Sequence, residues 1–258
     1  MKEINIIRNN WRYIIFLSIL LGTLAALFLN KPIHQNIDYH NFADKRIFVQ
    51  IPNFFDFFSN ILFLILGITG LIHIIKNRQE NANISWIFFF IGCALIAPGS
   101  AFYHWDPNNF TLIWDRFPMT IVFMSLFTAL ITEYINHNIE KYLLPLLLVL
   151  GLVSVIQWYL SQDLRLYIWV QLVPIITIPM ILILFKNKYT HSYYLLLSFL
   201  IYLAAKLFEY FDKVIFNASE NLISGHTIKH ILASISIACI YIMLRIRMHR
   251  DNTEENLI

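Results

Sequence analysis

Residues 57–75 read FFSNILFLILGITGLIHII, nineteen positions without an Asp, Glu, Lys or Arg. As an α-helix this run rises roughly 28 Å, enough to cross the hydrocarbon core of a bilayer. Similar runs lie at Tyr13–Leu29, Ile84–Tyr103, Phe117–Ile135, Tyr142–Leu160, Leu166–Phe185, Tyr193–Tyr210 and Thr227–Leu244. In hydrocarbon every backbone N–H and C=O must be paired internally, and uninterrupted apolar runs do this as helices. The expected fold is therefore all-α, a polytopic transmembrane helical bundle. The connectors, such as Lys76-Asn77-Arg78 and Ser161-Gln162-Asp163, are too short to hold a second domain. Pro98, Pro174 and Pro179 fall inside predicted spans, where they are expected to kink the helices.

Composition agrees with this reading. The chain is 58% hydrophobic and only 14% charged, whereas soluble domains carry about 25% charged residues. The formal net charge of +3 is too small to point to a nucleic-acid partner. Cys93 and Cys239 both fall inside apolar runs, where they read as small core residues and not as a disulfide or thiolate site.

The basic residues orient the bundle. With both ends cytoplasmic, eleven lie inside (Lys2, Arg8, Arg12, Lys76, Arg78, Lys141, Lys186, Lys188, Arg245, Arg247, Arg250). Six lie outside (Lys31, Lys45, Arg46, Arg116, Arg165, Lys213). The first run also fits a signal peptide, but it is long for one and no small-x-small cleavage site follows. A retained helix is expected.

Ionisable groups in or near spans are costly, so they carry the functional information. Ser100 and His104, four apart, share a helix face at the outer end of the third span. Trp114-Asp115-Arg116-Phe117-Pro118 opens the fourth, and Ser224-Gly225-His226-Thr227-Ile228-Lys229-His230 opens the eighth. Each feature has a plain structural reading. His104 beside Trp105 fits an interfacial belt, Asp115 and Ser224 fit helix caps, and a His–x3–His pair is often core. The predicted topology, however, brings all of them to one membrane face. Three imidazoles and a carboxylate gathered there suit a zinc site with three protein ligands and an open position. Lys206 and Glu209, three apart, read as an intrahelical ion pair, and Lys229 as a snorkelling side chain.

At these residues the chain resembles the alkaline ceramidases, within the wider group of seven-helix membrane hydrolases. The shared pattern is Ser–x3–His, then Asp, then His–x3–His, here Ser100, His104, Asp115, His226 and His230. The text around them is similar to that of bacterial ceramidase-like members, and Asn53 to Asn60 resembles the start of the family's first core helix. The resemblance implies a seven-helix catalytic core over residues 53–247. Residues 1–30 would be a cytoplasmic N-terminus and an extra helix, 31–52 an extracytoplasmic loop, and 248–258 a polar cytoplasmic tail. It implies zinc on His104, His226 and His230, with Ser100 and Asp115 as catalytic residues beside the metal's water. Asp115 would act as acid–base and Ser100 as an oxyanion donor. Eukaryotic ceramidases also carry an acidic calcium segment. Here Asp38, Asp44 and Asn53 form no matching cluster, so the resemblance carries zinc across without calcium.

The implied activity is a metal-dependent amidohydrolase cleaving a ceramide-like membrane lipid to a fatty acid and a long-chain amine. It would work in a bacterial cytoplasmic membrane, near the extracytoplasmic face. A non-hydrolytic transporter or receptor-like bundle using the same polar cluster is the alternative. A haem site and a lipid esterase are further ones.

Overall fold

The computed structural model describes residues 2–77, 83–186 and 188–249, the side chains of residues 2–9 excepted. Arg78, Arg250 and the tail 250–258 lie outside the described residues, as do the side chains of Lys2 and Arg8. The helices are α1 (Lys2–Leu29), α2 (Phe54–Phe58), α3 (Ile61–Lys76), α4 (Ile84–Trp105), α5 (Asn109–Tyr134), α6 (Glu140–Ser161), α7 (Arg165–Leu184), α8 (Tyr193–Tyr210), α9 (Asp212–Ala218) and α10 (Gly225–Ile246). Among the described residues eight segments are long and apolar enough to cross a membrane, the architecture of an integral multi-pass protein.

The solvent of the outer surface is legible on α6. Leu146, Val149, Val153, Ile156 and Leu160 recur at intervals of three and four and are all exposed. A stripe of this kind is sustained by lipid, while Leu147, Gly151, Ser154, Val155 and Trp158 face inward.

Seven long helices form the bundle, with α5 its most buried member. The N-terminal helix α1 packs at the edge against α7. Helix α4 lies along α5, α3 along α4, and α10 along α8 and α3. Glycine sets the closest of these approaches. A Cβ on Gly99 would stand 2.1 Å from the carbonyl oxygen of Trp114, so α4 and α5 touch backbone to side-chain-free backbone beside Ser100.

Helix α5 begins earlier than the apolar pattern suggests, at Asn109 instead of Phe117. Asn108 caps it, accepting from the backbone N–H groups of Phe110 and Thr111, while the Thr111 hydroxyl accepts from the N–H of Asn108. The polar residues Thr111, Asp115 and Arg116 are buried within the bundle, which hides them from a hydropathy reading. Asp115 is thus an interior helical residue and not a cap. Arg116, counted above with a loop, is buried against the rings of Trp158 and Tyr167 at 3.9 and 4.6 Å. Pro98, Pro174 and Pro179 do lie inside helices.

Residues 30–53 cross one end of the bundle as a strap. The backbone N–H of Leu164 donates to Ile33 O at 2.8 Å, Arg116 donates to Gln35, and His40 bridges the Tyr103 hydroxyl and Asn109. Arg46 grips Asp44 through Nε and Nη2 and also donates to Leu222 O. At the opposite end Glu133 accepts from Trp86 Nε1 at 2.7 Å and from both Nη atoms of Arg247.

Candidate metal centre

Under the strap, α4 and α10 bring three imidazoles together. His104, His226 and His230 are all buried, and one nitrogen from each lies within 4.8 Å of the others. Their ring centroids are 4.8 to 5.2 Å apart. The helices place them by simple periodicity, since residues 226 and 230 stand one turn apart on α10. Ser224 caps that helix, accepting from Thr227 N, so its plain reading holds. Gly225 allows the helix start to approach α8, where a Cβ would lie 2.2 Å from Phe208 O.

The imidazoles are oriented from behind. His230 Nδ1 faces the carbonyl oxygen of Asp56 at 3.1 Å and Ser59 Oγ at 2.8 Å. A carbonyl only accepts, so Nδ1 carries the proton and Nε2 is left as the free ligand atom. Asp56 itself is buried and accepts from the hydroxyls of Ser224 and Thr227, which ties α2 to the start of α10. Asp212 accepts from His226 N and from Ala43 N, joining α10 to the strap. Asn53 donates to the carbonyl of His104 at 2.8 Å. Above the cluster the Phe42 ring lies 4.6 Å from that of His104 and 4.8 Å from that of His226.

The donor set fits a metal ion. Three buried imidazole nitrogens converge, and His104 Nδ1 has no hydrogen-bond partner among the described residues although it is fully enclosed. A buried imidazole nitrogen left in that condition is costly unless a cation or water takes it. Three imidazoles are the ligand number and type found at catalytic zinc sites.

Of the five residues expected from the sequence, the structure brings His104, His226 and His230 together, while Ser100 stands one turn before His104 on α4 and Asp115 lies on α5. Ser100 is hydrogen-bonded to the Asp115 carboxylate, and both are buried. Of the strap residues named for calcium, Asp44 is held by Arg46 and Asn53 by His104.

Three partners are new. Asp56 and Ser59 fall in the Asn53–Asn60 stretch already noted for its resemblance, though with no role given to them there, while Phe42 lies in the strap and left no trace in the sequence. Lys229 does not snorkel; its Nζ lies 2.8 Å from Glu209 Oε1, and Lys206 pairs with the other oxygen of Glu209.

Beside His230 a cavity of about 100 Å³ runs into the bundle. Lys206, Lys229 and His230 stand on its wall, and Phe89, Leu126 and Ile240 line it further along the helices. No protein-family model, no curated protein and no solved structure matches the chain.

Proposed function

We propose that this protein is a zinc-dependent membrane hydrolase that cleaves the amide bond of a ceramide-like lipid. The observation that carries the reading is the convergence of His104, His226 and His230, with an unpartnered His104 Nδ1, beside the Ser100–Asp115 pair. A zinc ion held by neutral imidazoles supplies an activated water near neutral pH and a positive charge for a developing oxyanion.

The chain's own groups do the rest. Asp115 accepts the proton of the attacking water as its oxygen bonds to the acyl carbon. It then delivers that proton to the nitrogen as the C–N bond breaks, releasing a fatty acid and a long-chain amine. Ser100, whose hydroxyl adjoins the Asp115 carboxylate, would offer its proton to the developing oxyanion. Phe42 covers two of the imidazoles and keeps bulk water from them. The apolar cavity takes hydrocarbon, so the lipid reaches the centre with a chain still in an apolar medium. We place the centre near the extracytoplasmic face of a bacterial cytoplasmic membrane, following the distribution of basic residues.

Detergent-purified protein is expected to contain about one zinc per chain by mass spectrometry, and His230→Ala to lose it. Asp115→Asn is expected to retain the metal while amide hydrolysis falls by roughly 10²–10⁴-fold. Full turnover in Asp115→Asn would remove Asp115 from the proton transfer. Metal-free protein, even after zinc is supplied, would favour a bundle that binds or moves a ligand without cleaving it.

A further inference from the structure

The cavity wall is charged with one sign only. Lys206 and Lys229 line it, together with His230, whereas Glu209, Asp115 and Asp56 do not. Glu209 stands behind the two lysines and is shared between them, Oε1 with Lys229 and Oε2 with Lys206. Two ammonium groups against one carboxylate leave this triad with one positive charge in excess. Lys229 lies inside the bundle and Lys206 at a more open part of the wall, beside Phe, Ile, Val and Leu side chains.

Such a charge is expensive inside a membrane bundle. With Glu209 behind them and Asp115 acting on Lys229 from α5, the two ammonium groups are held in place on the cavity wall, where they can meet an anion that enters it. Lys229 also lies 3.5 Å from Nε2 of His226, directly beside the candidate metal centre. The Lys206 side chain is 43% exposed and Lys229 14%, so Lys206 is the more accessible of the two.

We propose that Lys206 and Lys229 receive the acidic group of the lipid, so that the preferred substrate is an N-acyl amide whose amine half carries a carboxylate or a comparable anion. This rests on the hydrolase reading for the word substrate, but the anion site stands on the cavity alone. The acidic group lies on the lysines, the amide at the three histidines, and hydrocarbon occupies the remaining length of the cavity. Lys206 and Lys229 act as specificity residues, and Glu209 positions them.

The test measures equilibrium binding of radiolabelled N-palmitoylglycine and N-palmitoylethanolamine, a neutral amide of the same chain length, to detergent-purified full-length protein. Cleavage of both is followed in parallel. The wild-type protein is expected to bind the glycine amide at least tenfold more tightly. Lys206→Met is expected to erase that preference while sparing the ethanolamine amide, and Lys206→Arg to restore it. Lys206 is the primary variant because it is partly exposed; Glu209→Gln, which frees both ammonium groups, is expected to keep or strengthen the preference. Equal binding of the two amides by the wild type overturns the proposal, as does a preference that survives Lys206→Met and Lys229→Met together. Free palmitate competing as well as N-palmitoylglycine would assign the lysines to the acyl carboxylate and overturn the placement on the amine half. Selective, lysine-dependent binding without any cleavage would leave the anion site standing and remove the hydrolase reading.

Discussion

His230 shows how much of a candidate metal centre lies behind the imidazoles that form it. Its Nδ1 is fixed by Ser59 Oγ and by the carbonyl of Asp56, which sets the tautomer and points Nε2 at the other two rings. Ser59→Ala removes one of these partners and leaves the carbonyl, so zinc should still bind, with affinity reduced roughly tenfold. Competition against a chelator of known affinity checks this, and unchanged affinity would mean that the carbonyl alone suffices. The ligands were legible in the sequence because histidine is rare in apolar helices and the four-residue interval fixes a shared face. Phe42 and Asp56 were not legible. A phenylalanine among 22 carries no mark of its place, and an aspartate in a five-residue helix reads as a surface residue until the strap and α10 close around it.

Among the elements, α4 and α5 are set most tightly. Gly99 faces the Trp114 carbonyl, a backbone group that cannot swing away. Gly99→Ala should therefore cost about 1–3 kcal/mol and lower the melting temperature in detergent. It should also lower hydrolysis, since Ser100 and Asp115 lie on the two surfaces it pushes apart. An unchanged melting temperature would show that the helices yield more easily than backbone contact implies. The sequence placed α4 to within two residues of its end, yet began α5 eight residues late. Hydropathy registers what faces lipid, and the first turns of α5 carry Thr111, Asp115 and Arg116 inward. Lys229 illustrates the same difficulty. Its position inside a span is visible in the sequence, but pairing with Glu209 on α8 depends on how two helices pack.

Taken whole, the bundle puts the strap and the centre at one end and the Glu133–Arg247 pair at the other. This gives a simple test of orientation. Cys93 and Cys239 are buried, so a cysteine placed at exposed Lys31 or exposed Asn138 should dominate labelling. In intact cells an impermeant maleimide should modify Lys31→Cys and spare Asn138→Cys. The opposite pattern would put the centre at the cytoplasmic face. The all-α bundle itself was readable from the eight apolar runs, because hydrocarbon leaves a chain so few ways to satisfy its backbone. The interior cavity was not, since it is made by six helices whose inward faces are as apolar as their outward ones.

The three imidazoles also impose an order in time. His104 leaves the ribosome 122 residues before His226, a delay of roughly 6–24 s at synthesis rates of about 5–20 residues per second. Throughout that interval the early helices hold only one of the three nitrogens, so the three-imidazole cluster cannot form until α10 is made. Under the proposed hydrolase reading, competence would arrive only with α10, whose two histidines complete the cluster.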